Sequence, residues 1–141
     1  MNVWANEWDD VEDWSGGGAR SRRLVPGGGP FLGATVYELE PGTWVIYHVH
    51  HGSEELVLVL DGEPTLRTPE GERRLQRGDV VAFPPGPAGG HGLRNDTDAP
   101  VRYLMAGTRV SPEVVEYPDL KQVTGQSRHG IFFIHDVEEG A

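Results

Sequence analysis

His48 and His50, separated by a single valine, are followed by Glu55 and, about forty residues later, by His91. Three imidazoles and a carboxylate make a ligand set for one mononuclear transition-metal ion. Spacing matters as much as identity. In an extended strand, side chains two apart point to the same face, so His48 and His50 can grip one ion together. A helix would turn them about 200° apart, so the pair requires a strand.

Composition sets limits on the elements that must hold these residues. The chain has 141 residues, enough for one domain with its own core. It contains no cysteine, which removes disulfides, thiolate metal sites and thiol catalysis and leaves nitrogen and oxygen as metal donors. A net charge of −10 without a long basic run argues against binding a nucleic-acid backbone, and Arg20, Arg22 and Arg23 read as a solvated strand face. No apolar run approaches the ~20 residues that cross a bilayer. Residues 1–14 are acidic and lack the apolar stretch of a secretory signal, so a cytoplasmic location is the expectation. Glycine (20) and proline (11) punctuate short β-branched runs, the pattern of an all-β sandwich or barrel.

Residues 1–30 set Trp4, Trp8 and Trp14 among Asp9, Asp10, Glu12 and Asp13, with a break at Gly16-Gly17-Gly18. The spacing of Trp4 and Trp8 suits a short helix; the alternative is an arm laid on the barrel or on a second subunit. A first strand is expected over 20–25, ended by the glycine–proline run at 26–30. Strands then follow over 31–40, 43–51, 55–60, 64–68, 72–76, 80–84, 91–95 and 101–108, with a hairpin turn at Pro69-Glu70-Gly71 and a loop over 85–90. Beyond them, 111–117 and the apolar 131–135 read as two more strands before an acidic end. The domain plan is an N-terminal arm and first strand (1–30), a barrel core (31–108) and a C-terminal extension (109–141).

Placed on these strands, the residues form two motifs. Gly42, His48, His50, Glu55 and Gly62 follow the order glycine, five residues, His-x-His, three or four residues, glutamate, six residues, glycine. Gly78, Pro84, Gly86, His91 and Asn95 follow a second order: glycine, five residues, Pro-x-Gly, a spacer, histidine, three residues, asparagine. In both, the chain resembles the cupin superfamily of small jelly-roll β-barrels. One departure is that residues 87–90 put four positions between Gly86 and His91, where the family pattern has two. This enlarges the loop ahead of His91 without removing the ligand. The resemblance spans roughly residues 31–108. It implies an all-β jelly-roll barrel holding one divalent transition-metal ion (Fe, Mn, Ni or Zn) on His48, His50, Glu55 and His91.

Asp61-Gly62 and Gly78-Asp79 mark strand reversals, where glycine accepts positive φ. They set the register that turns the ligands inward, and a one-residue slip would turn the whole set outward. Glu55 is preferred to Glu54 because Val57 and Val59 then follow it into the barrel. His51 points to the opposite face, and His129 and His135 lack ligand spacing. Trp44, Ile46, Val57, Val59 and Leu93 are expected as an inward apolar wall, which is equally the barrel core. Tyr47, Tyr103 and Glu54 are the nearest titratable groups by sequence, and no catalytic dyad is visible beyond the ligands. The resemblance implies a metal-dependent enzyme acting on a small oxygen-bearing molecule, with dioxygenase-like oxidoreductase chemistry favoured. Isomerase or lyase chemistry, and a barrel that senses a sugar or organic acid, are the alternatives. The N-terminal tryptophans and the run at 131–134 suggest segments that pair across a homodimer interface.

Overall fold

The computed structural model describes residues 1–14, 17–25, 29–127 and 129–138, so the breaks expected at 16–18 and 26–30 and the last three residues fall partly or wholly outside it. In chain order the strands are β1 (Asp10–Trp14), β2 (Gly17–Arg23), β3 (Leu32–Leu39), β4 (Trp44–His50), β5 (Glu55–Asp61), β6 (Thr65–Thr68), β7 (Gly71–Arg74), β8 (Val80–Phe83), β9 (His91–Arg94), β10 (Val101–Thr108), β11 (Glu113–Tyr117), β12 (Gln122–Ser127) and β13 (Gly130–Asp136). One-turn 3-10 helices stand at Pro87–Gly89 and Pro118–Leu120. The strands form two antiparallel sheets, ordered β1-β2-β3-β10-β5-β8 and β13-β12-β11-β4-β9-β6-β7. This is a jelly-roll barrel, in which consecutive strands repeatedly cross from one sheet to the other.

Alternation along the strands builds the core. Leu39, Val57, Val59, Leu66, Phe83, Leu93, Val101 and Tyr103 are buried and form one cluster across both sheets. Burying a side chain of this size contributes about 1.5–3 kcal/mol. On β5 the period of two holds through Val59, with Val57 and Val59 facing in and Leu56 exposed, and Leu60 is buried at the strand's end. The turns expected at Gly62 and Gly78 carry φ of 80° and 91°. At Gly62 a Cβ would also lie 2.9 Å from the Pro100 carbonyl oxygen, so the turn excludes a side chain twice over.

Strict alternation fails on β4. Val45 pairs with Leu93 and His48 with His91, so Ile46 and Tyr47 together oppose Gly92 alone. This β-bulge reverses the parity of the strand: Val45 packs on the core, and Trp44 is 43 % exposed. Trp44 is therefore not part of the inward wall. Gly92 is what lets the bulge close, because a Cβ there would sit 3.0 Å from the Val45 carbonyl oxygen.

The N-terminal residues take the arm conformation rather than the helix, and β1 adds a strand ahead of the one expected. Arg102 holds the arm down. The residue is 8 % exposed, and its guanidinium donates to the Val3 and Ala5 carbonyls and to Asn6 Oδ1, pairs with Glu38 at 2.7 Å, and lies 4.9 Å above the Trp8 ring. Arg20, Arg22 and Arg23 are paired rather than merely solvated, with Glu38 and Glu40, Glu7, and Asp10 respectively. At the other end, β12 was not foreseen: Gln-Val-Thr-Gly-Gln-Ser has no apolar alternation, and its place between β11 and β13 makes it a strand. Replacing Arg102 by alanine removes its hydrogen bonds to the arm and leaves the half-buried Glu38 carboxylate to Arg20 alone, which should cost about 1.5–3 kcal/mol. Urea denaturation would measure this, and limited proteolysis should show cleavage within residues 1–9 that the parent resists; an unchanged digest would contradict the anchoring role.

Candidate metal centre

The bulge on β4 and the turn before β5 bring four side chains to one point between the sheets. His48 and His50 project from β4, His91 from β9 directly opposite His48, and Glu55 from the first position of β5 in the other sheet. His48, His50 and Glu55 form a group able to hold a metal ion, each offering a ligand atom within 4.8 Å of the others. His91 completes the cluster on the buried side: its Nε2 is 3.2 Å from Glu55 Oε2, and its ring centroid is 4.5 Å from that of His48. His50 Nε2 lies 3.3 Å from the same carboxylate oxygen. Glu55 Oε2 and His91 Nε2 are both buried without a well-formed hydrogen bond, which is the condition of donor atoms arranged for an ion.

Each ring is oriented through its other nitrogen. His48 Nδ1 donates to the Ile46 carbonyl and His91 Nδ1 to the Gly89 carbonyl, both at 2.8 Å. A carbonyl only accepts, so the proton sits on Nδ1 and the Nε2 lone pair is free for a metal. The Gly89 carbonyl comes from the enlarged loop at 87–90, so the added residues supply the partner of His91. Gly89 is sterically required there, since a Cβ would fall 1.7 Å from the Pro84 carbonyl oxygen. Phe83 stacks on the His91 ring at 3.8 Å and fixes its plane.

The electrostatics keep the donors ready. Burial, reinforced by the neighbouring His91 imidazole, lowers the His48 pKa to about 4, so its imidazole is neutral near pH 7. Burial would lower His50 as well, but the Glu55 hydrogen bond and charge, with Glu113 behind, raise it on balance. Burial would raise Glu55, yet His50 and His91 hold it well below the usual carboxylate range, so it is ionised.

A cavity of about 520 Å³ opens onto one side of the cluster. His50, Glu55, Ser53 and Glu113 line it beside the cluster, Thr35, Tyr37 and Met105 contribute from β3 and β10, and Arg23, Arg109, Ser111, Gln126 and Ser127 add further polar groups. His48 and His91 are not among its lining residues. Of the groups singled out by sequence, Tyr103 is in the core, stacked on Tyr37 at 5.3 Å, and burial raises its pKa well above that of a free phenol. Tyr47 lies under the Arg67 guanidinium at 4.3 Å and lines a separate depression with Trp44. Glu54, His51, His129 and His135 are exposed. Sequence reasoning did not single out Glu113, Arg109 or Tyr37, which reach the cavity through the pairing of β3 with β10 and of β11 with β4; no local motif marks them.

The match to known proteins agrees with this architecture. Residues 35–107 match the model of the cupin domain, and the chain belongs to the cupin family. A crystal structure named as a sugar phosphate isomerase from Silicibacter pomeroyi is 34 % identical over 84 % of this chain and 76 % of its own, with a TM-score of 0.78. A protein from Acidithiobacillus ferrooxidans is 29 % identical over 83 % of this chain and 76 % of its own, with a TM-score of 0.73. The polyketide cyclase RemF from Streptomyces resistomycificus, at 21 % identity over 73 % of this chain and 70 % of its own and a TM-score of 0.59, shares the fold. A search of curated proteins returns no match.

Because His50 is the imidazole with the raised pKa, protons should compete with metal there first. Zinc affinity, measured by chelator competition, should fall as the pH is lowered from about 8 to about 5.5, while His48 remains neutral throughout. His50→Ala should bind zinc at least about 100-fold more weakly with an unchanged far-UV CD spectrum; parent-like affinity would remove His50 from the site.

Proposed function

We propose that the protein is a metal-dependent isomerase acting on a small, polyhydroxylated and phosphorylated molecule, with one divalent transition-metal ion held by His48, His50, Glu55 and His91. The observation that carries this reading is the cavity chemistry. Arg109 lines the cavity and makes no ion pair among the described residues; its Nη1 donates only to the Gly29 carbonyl, at 3.3 Å. Arg23 lines the same cavity, sharing its charge with Asp10 at 3.3 Å. Guanidinium groups suit the dianionic end of a phosphate ester. The hydroxyls of Thr35, Thr108, Ser111 and Ser127, with the Gln126 amide, offer partners for sugar hydroxyls. The similarity to the Silicibacter protein points the same way.

A divalent ion at this position supplies Lewis acidity, polarising the oxygens of a bound carbonyl or hydroxyl. The chain itself does the rest. Arg109 and Arg23 bind the anionic end, which sets the reacting carbons toward His50 and Glu55. Tyr37, whose pKa is raised first by burial and then by the Glu55 charge, keeps its proton and can donate a hydrogen bond to substrate oxygen. His48 and His91, away from the cavity, hold the site without touching substrate. Dioxygenase-like chemistry, favoured by the family resemblance alone, calls for a mostly apolar chamber, and two arginines among polar side chains do not provide one.

Metal-loaded protein should catalyse isomerisation of an aldose or ketose phosphate in a panel followed by NMR, with solvent deuterium entering the substrate carbon next to the carbonyl. Arg109→Ala should raise KM about 10–100-fold, the equivalent of a lost charge-assisted hydrogen bond, with a smaller change in kcat. Absence of exchange across the panel, together with oxygen uptake on small organic acids, would return the assignment to an oxygenase. The proposal also retains the cytoplasmic location and the homodimer. In β13, at the edge of its sheet, Ile131, Phe132, Phe133 and Ile134 are 41–63 % exposed, a surface suited to pairing with a second copy. Sedimentation should give a dimer, and Phe132→Glu/Ile134→Glu should shift it to monomer.

A further inference from the structure

We infer that Glu113, from the C-terminal extension, is the positioning residue that orients His50 for metal binding; this rests on the ligand set proposed above. The three histidines differ in one respect. His48 and His91 each have Nδ1 fixed by a main-chain carbonyl, whereas His50 Nδ1 is buried and has no hydrogen-bond partner. The acceptor facing it is Glu113 Oε2, at 3.9 Å, slightly beyond hydrogen-bond reach. Glu113 is itself 6 % exposed and tightly held. Its Oε1 accepts from the main-chain N–H of Gly52 at 2.8 Å and of Val114 at 2.9 Å, and its Oε2 accepts from the Ser53 hydroxyl.

A buried carboxylate satisfied by three donors and still directed at an unbonded imidazole nitrogen is preorganised to receive the His50 Nδ1 proton in a hydrogen bond. That leaves Nε2, the atom beside Glu55, with its lone pair for the ion. Carboxylate–histidine–metal arrangements of this kind fix both the tautomer and the plane of the ring. Gly52 is part of the device, because a Cβ there would lie 3.1 Å from Glu113 Oε1 and also 3.1 Å from Val110 Cγ1. The carboxylate enters the site from β11 through the pairing of Val115 with His50.

Glu113→Gln tests this isosterically. An amide N–H2 turned to His50 Nδ1 favours the tautomer with the proton on Nε2, which opposes metal binding. Zinc affinity should fall about 10–100-fold. In the zinc-loaded, 15N-labelled protein, the downfield His50 Nδ1–H resonance should move upfield or vanish, while those of His48 and His91 stay in place. Ser53→Ala, which frees one oxygen of the carboxylate, should give a smaller loss and a smaller shift. Parent-like affinity and resonance in Glu113→Gln would overturn the inference. So would weakened binding with an unmoved His50 resonance, since Glu113 would then act only by bracing residues 51–53. If Glu113→Gln fails to fold, an unmoved resonance in Ser53→Ala overturns it instead. A parent protein that binds no zinc would refute the ligand set itself.

Discussion

Three imidazoles from one sheet facing a single carboxylate from the other is the constraint on which this molecule is organised. A buried carboxylate oxygen without a hydrogen-bond donor is expensive, and Glu55 Oε2, 3.3 and 3.2 Å from the ring nitrogens of His50 and His91, is placed as one donor of a set arranged for a cation. The arrangement requires the two sheets to meet at one fixed separation and register. The bulge at Ile46 and Tyr47, the bare backbone of Gly92 and the close approach of Gly89 to Pro84 all serve that alignment.

The cluster is also asymmetric. His91 is 2 % exposed and backed by Phe83, whereas His50 and Glu55 border the cavity. The buried half anchors and the open half meets solvent, so a ligand can approach from one direction. Burial holds His48 neutral, while the carboxylates around His50 hold a proton there more firmly. The same fold thus tunes two histidines two residues apart in opposite senses, because one faces the interior and the other faces acids.

Segments toward both ends of the chain are structural partners of the site. β11 lies directly against β4, delivers Glu113 to the cluster and brings Ser111 to the cavity, with β12 adding Gln126 and Ser127. The N-terminal arm works at a distance: Arg102 and Glu38 tie it to β10 and β3, the strands that also supply Met105, Thr108 and Tyr37 to the cavity wall.

What could be read from the sequence was everything governed by local periodicity and turn chemistry. The all-β class, most strands, the turns at Gly62 and Gly78, and the inward set of Glu55, Val57 and Val59 follow from alternation and from glycine's access to positive φ. The common face of His48 and His50 follows from the same period of two. What only the tertiary structure decided depends on residues far apart in sequence. The bulge that exposes Trp44 arises from pairing with β9, and the polar segment of β12 is a strand because β11 and β13 flank it. Glu113 meets His50 across 63 positions, and Arg109 joins the cavity through the packing of β3 beside β10. A single sequence records no such contacts, since nothing in a glutamate or an arginine specifies which distant strand will lie beside it.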